Sequence, residues 1–292
     1  MSSANSLPNN KWLSGLSMLK RSPTALIGLI IVSIVILSGI FAPWISPYDP
    51  IKTNLYSRLK PPSTEHWFGT DKLGRDVLSR IIWGARVSLK VGVISVGIGM
   101  VIGVMIGLIG GYFGGITEKL IFSVVDLMLS VPPLLLALAI VATLGPGIGP
   151  VMTAVGISLI PVFARVARGS VLTVKEQNYV LSARALGASH LDIMLRHILP
   201  NIVTPVIIMA TLYCAFAIIM EAALSFLGIG IQPPDPTWGE ILSHGQQQIR
   251  TAAWISTFSG LAITLTVLGF NLLGDGLRDL MDPNMKHVIQ AK

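Results

Sequence analysis

The sequence predicts an all-α integral membrane protein with six transmembrane helices. The 292 residues are 52% hydrophobic and 12% charged, with a mean hydropathy of +0.72, whereas soluble domains carry about a quarter charged residues. A helix needs about 20 apolar residues to cross about 30 Å of hydrocarbon. Six such runs occur, at Ala25–Ile45, Leu89–Gly111, Leu120–Leu144, Val151–Val171, Ile202–Leu227 and Trp254–Leu273.

The first apolar run is predicted to be retained as a transmembrane helix. Polar Met1–Arg21 precedes it, the run is too long for the core of a signal peptide, and no small-residue cleavage pattern follows. Six crossings place both termini on one side, which the positive-inside rule assigns to the cytoplasm. The basic residues on that side are Lys11, Lys20, Arg21, Lys119, Arg165, Arg168, Lys175, Arg184, Arg196, Arg278, Lys286 and Lys292.

This topology divides the chain into five parts. Many basic residues also follow the first span, where acidic residues partly offset them. The predicted parts are a cytoplasmic N-terminal segment at 1–24, a first transmembrane helix at 25–45, an extracytoplasmic segment at 46–88, a transmembrane core at 89–273 and a cytoplasmic C-terminal tail at 274–292.

The charge balance of the chain indicates a lipid partner. The net charge is +7 and the pI is near 9.7, which in a soluble protein would suggest nucleic acid. In a membrane protein, basic residues flank spans and face anionic lipid, so we expect membrane lipid and no nucleic acid. Cys214 is the single cysteine, so no disulfide forms within the chain, and its apolar neighbours predict a buried side chain.

Glycines and prolines mark the spans that pack closely or bend. Glycines recur every four residues along the second span, so they share one helix face on which another helix can pack closely. We favour packing within the subunit over a contact between subunits. These glycines are Gly99, Gly103, Gly107, Gly111 and Gly115. Prolines inside or near the start of spans, which tend to kink helices, are Pro132, Pro133, Pro161 and Pro205.

A polar and basic island, YVLSARALGASHLDIMLRHILPN at 179–201, lies between two apolar runs. Apolar residues spaced three to four apart predict two short amphipathic helices, at 179–186 and 191–199. Gly187 lies between them and can adopt a left-handed backbone conformation or permit close approach of another chain. Pro200 is suited to open the next apolar helix, where its missing N–H costs little. The island therefore predicts a helix, a glycine turn and a helix that enters the membrane.

This island resembles the coupling loop of ABC importer permeases. The family pattern is Glu-Ala-Ala, three residues, Gly, nine residues, Ile, any residue, Leu-Pro. The pattern is matched at Ala183, Gly187, Leu199 and Pro200. It is not matched at Leu181, Ser182 and His197, so no role of the family's glutamate is carried over.

Four further segments carry the same resemblance. They are HWFGTDKLGRDVLSRIIWGARVSL at 66–89, SFLGIG at 225–230, QPPDPTWGEIL at 232–242 and NLLGDGLRDLMDP at 271–283. Tryptophans expected to anchor membrane boundaries are Trp67, Trp83, Trp238 and Trp254. With the island, these segments resemble the second permease subunit of the dipeptide, oligopeptide and nickel group of ABC importers over Ile40–Pro283.

The resemblance implies a type I ABC importer permease fold in the inner membrane of a bacterial cell. It implies a heterodimer with a second, homologous permease, one or two ATP-binding cassette subunits and an extracytoplasmic substrate-binding protein. The coupling loop at 172–200 would contact a cassette through Tyr179, Ser182, Ala183, Ala185, Leu186, Gly187 and Ala188. The implied cargo is a dipeptide or short oligopeptide, with glutathione-like peptides and nickel chelates as alternatives.

Sequence motifs for catalysis, cofactors and metals are not found. The stretch GTDKLGRD at 69–76 has the glycine spacing of a phosphate-binding loop, but Arg75 and Asp76 occupy the Lys and Ser/Thr positions. The five histidines fall on different segments without metal-ligand spacing. We therefore expect no enzyme activity, cofactor or metal in this chain, and ATP hydrolysis by partner subunits.

Ionisable residues inside the predicted spans are the candidates for the translocation pathway, because such groups normally face a protein interior or water. Asp126, near the cytoplasmic end of the third span, favours a structural role. Glu221, in the outer half of the fifth span, suits either a cationic group in the pathway or hydrogen bonds between helices. A secondary transporter would show repeated halves, and an intramembrane enzyme would need a nucleophile and base at matching depth. Both remain distant alternatives.

Overall fold

The computed structural model describes residues 23–281. Within that range the regular structure is helical, apart from an isolated bridge between Thr70 and Asp76, so the all-α prediction is confirmed. The helices are α1 (Pro23–Ile40), α2 (Ala42–Ile45), α3 (Val77–Phe113), α4 (Gly115–Leu129), α5 (Pro133–Leu144), α6 (Ile148–Val174), α7 (Asn178–Ala185), α8 (His190–Phe226), α9 (Trp238–Gln246) and α10 (Ala253–Met281).

The chain termini lie outside the described residues. Nearly all of the predicted cytoplasmic N-terminal segment at 1–24 does so, as does the predicted C-terminal tail from residue 282 onward.

Five of these helices are long and apolar enough to cross a membrane, and the count is six when the bent pair α4 and α5 is taken as one span. The described part of the chain therefore has five to six candidate spans, in agreement with the six predicted. The third span, predicted as one helix over Leu120–Leu144, is instead broken, with an 88° bend between α4 and α5. Pro132 and Pro133 lie at the break, where missing N–H groups and ring clashes end one helix, and Pro133 begins the next.

The contact between α3 and α6 is the centre of the fold, and glycines make it close. A Cβ atom at Gly103 would lie 2.6 Å from the carbonyl oxygen of Ile160, and one at Gly107 would lie 2.4 Å from that of Ala164. Real Cβ atoms do not approach backbone this closely, so only glycine fits these positions. The predicted packing within the subunit is confirmed, except at Gly115, which starts α4 with open space around it.

The segment 41–76 and helix α9 together cover one end of the bundle. The backbone of 54–60 packs against the turn at 69–76: Asn54 N–H donates to the carbonyl of Leu73, and Leu59 N–H donates to that of Asp71. Trp238 begins α9 and is 2% exposed, with its ring N–H donated to the carbonyl of Ile81. Its predicted role as a membrane-boundary anchor is wrong, because its side chain fills the space between α3 and α9.

Candidate functional site

The polar island forms an exposed helix–turn–helix at the end of α3 and α6. Helix α7 ends in a Schellman turn in which Gly187 has a φ of +83°. Its N–H donates to the carbonyl of Arg184 at 3.0 Å, and the N–H of Ala188 donates to that of Ala183 at 3.1 Å. These are the two hydrogen bonds of that motif. The predicted left-handed glycine turn is confirmed.

The second helix of the island runs directly into the fifth span. Ser189 caps it by accepting a hydrogen bond from the N–H of Asp192, and a π-helical stretch at Ile193–Ile198 precedes Pro200. Helix α8 is therefore continuous from His190 to Phe226, so unbroken helix joins the turn to a membrane span.

One buried residue anchors the turn while its neighbours stay exposed. Val180 is 0% exposed and packs in a cluster with Val171, Ile193 and Ile198. Leu186, beside the turn, is 88% exposed. The other predicted coupling residues are exposed at Tyr179, Ser182, Ala185 and Gly187, and partly buried at Ala183 and Ala188. The exposed residues form a surface of apolar and small side chains with Arg184 among them, held on a base that the buried Val180 anchors.

Two polar contacts tie this base to the end of α3. The hydroxyl of Tyr112 lies 2.8 Å from Nδ1 of His190, and Nζ of Lys175 donates to the carbonyl of Gly111 at 2.9 Å. The sequence interpretation missed Tyr112 and Lys175, because their partners lie 78 and 64 positions away in the chain.

The opposite end of α3 carries a buried ionic network. Arg80, 1% exposed, donates from Nη2 to Oε2 of Glu240 at 2.5 Å and from Nη1 to the carbonyl of Pro50 at 3.1 Å. Arg75 donates from Nε to Oδ2 of Asp71 at 2.6 Å. The network therefore joins α3, the 46–76 segment and α9, and an unpaired charge in it would be costly.

Electrostatics in the network favour an ionised Glu240. Burial alone raises the pKa of this carboxyl, but the close His244 ring and the charges of Arg80 and Arg75 outweigh it, so the pKa lies below the ordinary value of 4.5. Nδ1 of His244 lies 2.8 Å from Oε1 of Glu240, without the alignment of a hydrogen bond.

Glu221 is 0% exposed and hydrogen-bonded between elements. The hydroxyl of Ser225 donates to Oε1 at 2.9 Å, and that of Ser88 on α3 donates to Oε2 at 3.3 Å. The N–H of Trp238 on α9 lies 3.5 Å from the same Ser88 hydroxyl. This geometry matches the second of the two predicted roles of Glu221, hydrogen bonds between helices. A contact of Glu221 with cargo stays a prediction.

Asp126 lies on α4 and is exposed. Its carboxylate accepts a hydrogen bond from Nη2 of Arg165 on α6 at 2.8 Å. A second pair, Glu118 with Arg168, joins the same two helices at 2.5 Å. The two ion pairs join α4, the half of the broken span that precedes the 88° bend, to α6.

The sequence predicts neither a phosphate-binding loop at 69–76 nor a metal site. The 69–76 turn packs against 54–60, as described above, and the cavity of about 420 Å³ that borders Gly74 and Asp76 is also lined by the carboxylates of Asp49 and Glu65. Among residues 23–281, groups of three or more metal-ligating side chains are not found.

Comparisons with known proteins agree over most of the chain. Residues 99–287 match the family described as binding-protein-dependent transport system inner membrane component, and residues 11–62 match the N-terminal TM domain of oligopeptide transport permease C. A dipeptide transport system permease protein from Alkalihalophilus pseudofirmus is 45% identical over 94% of this chain and 90% of its own length. A glutathione transport system permease protein from Shigella flexneri is 49% identical over 91% of this chain and 88% of its own length.

A solved structure shares the fold. A chain of the MetNI methionine ABC transporter, in inward-facing conformations, superposes with a TM-score of 0.58 and 18% identity, over 70% of this chain and 97% of that chain. With the identities to the two permeases and the family matches that span both ends of the chain, the predicted membership is confirmed. This chain belongs to the inner-membrane permease components of binding-protein-dependent ABC importers.

Proposed function

We propose that the chain is one of two permease subunits of an importer for dipeptides or short oligopeptides in a bacterial inner membrane, with both termini in the cytoplasm. The dipeptide permease relative supports this cargo class. The glutathione permease relatives, at 47–49% identity, favour glutathione-like peptides as the second candidate. The partners are a second permease, one or two cassettes that hydrolyse ATP, and an extracytoplasmic binding protein.

The observation that carries the mechanism is the exposed turn at 178–188 on a base anchored by the buried Val180. Leu186 and the small residues around it dock into a groove on a cassette. Because α8 continues from the turn into the membrane, motion of a cassette moves a membrane span directly. Helix α3, with 37 residues and a length of about 55 Å, carries the same motion from Tyr112 to the ionic network at its other end.

The broken span supplies a place where the pathway changes shape. Helix α5 meets α4 at 88°, whereas ion pairs fix α4 along α6. Rearrangement of the spans during transport therefore takes place about the 130–132 joint, with α4 moving together with α6.

Purification in mild detergent from the native membrane, followed by mass spectrometry, tests the assembly. We expect a second permease and one or two ATP-binding subunits to be recovered. Leu186→Arg should lose the cassettes and keep the second permease. Leu55→Arg, a matched change at a residue that is 67% exposed in the 46–76 segment, should lose neither. Recovery of this chain alone, still able to transport, would instead establish a secondary transporter.

Uptake measurements test the cargo. The reconstituted importer with its binding protein should take up labelled dipeptides, and a hundredfold excess of glutathione should not compete. Efficient competition by glutathione would select the second candidate.

A further inference from the structure

An apolar groove lies on the outside of the bundle between α1 and α3. Its volume is about 470 Å³, and its walls include Ile36 and Gly39 of α1, Val93 and Ile94 of α3, and Phe270 of α10. Ile36, Val93 and Ile94 are exposed, at 40%, 58% and 39%. The groove therefore opens laterally, toward the surroundings of the bundle and not into its core.

Two cations lie at one end of this groove. Arg86 and Lys90 are four residues apart on α3, so they share a helix face. Both are exposed. Neither makes an ion pair within 4.0 Å with any residue in 23–281. Asp49 and Asp235 border the adjoining cavity, which Arg86 and Lys90 also line, but they lie beyond that distance.

The depth of the two cations matches that of a lipid headgroup. Helix α1 has 18 residues and a length of about 27 Å, close to the hydrocarbon thickness. Gly39 near its outer end packs on the backbone of Arg86, since a Cβ there would lie 3.1 Å from the Arg86 nitrogen. Trp83 lies one turn away, with its ring 5.9 Å from the Arg86 guanidinium, and tryptophan is typical of this boundary.

We propose that this groove binds an anionic phospholipid from the leaflet on the side of the 46–76 segment. Arg86 and Lys90 bind the phosphate and its headgroup, and one acyl chain lies along Ile36, Val93, Ile94 and Phe270. Charge complementarity selects this occupant: two unpaired cations at the boundary need an anion, and the apolar walls below them need a hydrocarbon chain. The lipid holds α1 against α3, where the direct contact depends on Gly39. The proposal does not depend on the cargo.

Native mass spectrometry of the purified complex tests the site with two probes of equal chain length, dioleoylphosphatidylglycerol and dioleoylphosphatidylcholine. We expect the first phosphatidylglycerol to bind on the order of tenfold more tightly than phosphatidylcholine. Arg86→Gln with Lys90→Gln should remove that preference. Arg58→Gln with Lys60→Gln, two exposed cations on the same side, should leave it unchanged. Val93→Trp should weaken both lipids by filling the groove.

Other results would overturn the proposal. Equal binding of the two lipids by the wild-type complex would show that the cations do not select the headgroup. Unchanged phosphatidylglycerol binding by the Arg86 and Lys90 double variant would place the lipid elsewhere. A disulfide from Val93→Cys to a cysteine on the second permease, with no retained lipid, would show that a protein surface covers the groove.

Discussion

Replacement of Gly187 by valine tests the coupling turn most directly. The residue has a φ of +83°, and a Cβ atom there would have no neighbour within 4 Å. The substitution therefore acts only through the backbone conformation, not through a clash with another part of the protein. A β-branched side chain resists the left-handed region strongly.

The expected free-energy cost is large relative to the stability of the turn and small relative to the stability of the whole protein. A non-glycine residue in a sparsely populated backbone region costs about 1–3 kcal/mol. Leaving that region instead would break the two hydrogen bonds of the turn, each worth about 0.5–1.5 kcal/mol. At 1.4 kcal/mol per factor of ten, the native turn loses on the order of tenfold or more in population. Typical stabilities of 5–15 kcal/mol exceed this, and Val180 still anchors α7, so the chain stays inserted.

The assay is uptake per ATP hydrolysed by the complete importer in proteoliposomes. Gly187→Val should hydrolyse ATP yet lose at least tenfold in uptake per ATP. Gly187→Asn is the matched control, because asparagine tolerates the left-handed region, and it should remain within about twofold of the wild type. Normal coupling by Gly187→Val would refute the docking role of the turn. Equal loss in both variants would refute the backbone argument.

Three further perturbations test the packing. Gly107→Val should prevent stable insertion, because its Cβ atom would lie 2.4 Å from a backbone oxygen of α6. The control Gly97→Val has open space around its Cβ atom and should be recovered from the membrane at wild-type levels. Equal recovery of both variants would contradict the contact between α3 and α6. Glu221→Gln should keep one serine hydrogen bond at its amide oxygen and reverse the other, in which its NH2 group donates to the hydroxyl. Transport rates and substrate preference should be unchanged, and an altered preference would instead assign Glu221 to the pathway. Glu240→Gln should destabilise the complex in thermal unfolding by up to about 3 kcal/mol, because Arg80 loses its closest carboxylate and keeps only Asp71, whose Oδ2 lies 3.7 Å from its Nε. The depressed pKa of Glu240 means that its ionised form stabilises the fold above pH 4.5 and that this contribution is lost as the pH falls through the folded-state pKa; Glu240→Gln should lack that acid-dependent loss.

The sequence was most informative where local rules decide the structure. The apolar runs determine the spans because a bilayer requires every backbone group to be satisfied within a helix. The spacing of four places Gly103 and Gly107 on one face. Gly187 lies where a left-handed residue must end a helix.

Long-range contacts limited the site prediction. Arg80 was one cation among many in a charged segment, and its partner Glu240 lies 160 positions away. Tyr112 carries no sequence signal for a contact with His190. Trp238 stands beside a membrane boundary in the sequence, yet the packing of α9 buries it. A sequence pattern cannot reveal such pairs, because their partners are brought together only by the fold.

The sequence by itself therefore determined the membrane spans and the left-handed turn in the polar island, because hydropathy, helix periodicity and glycine conformation act over a few residues. Its motifs also carried the resemblance to importer permeases, which the comparisons confirm. The tertiary structure decided which glycines pack, where the third span breaks, and that the two ends of α3 are tied to the coupling turn and to a buried ionic network. It also placed Glu221 between hydrogen-bonding helices and set Arg86 and Lys90 at the mouth of an apolar groove. These features depend on the relative positions of helices that are distant in the chain. Side-chain packing and the burial of charges determine those positions.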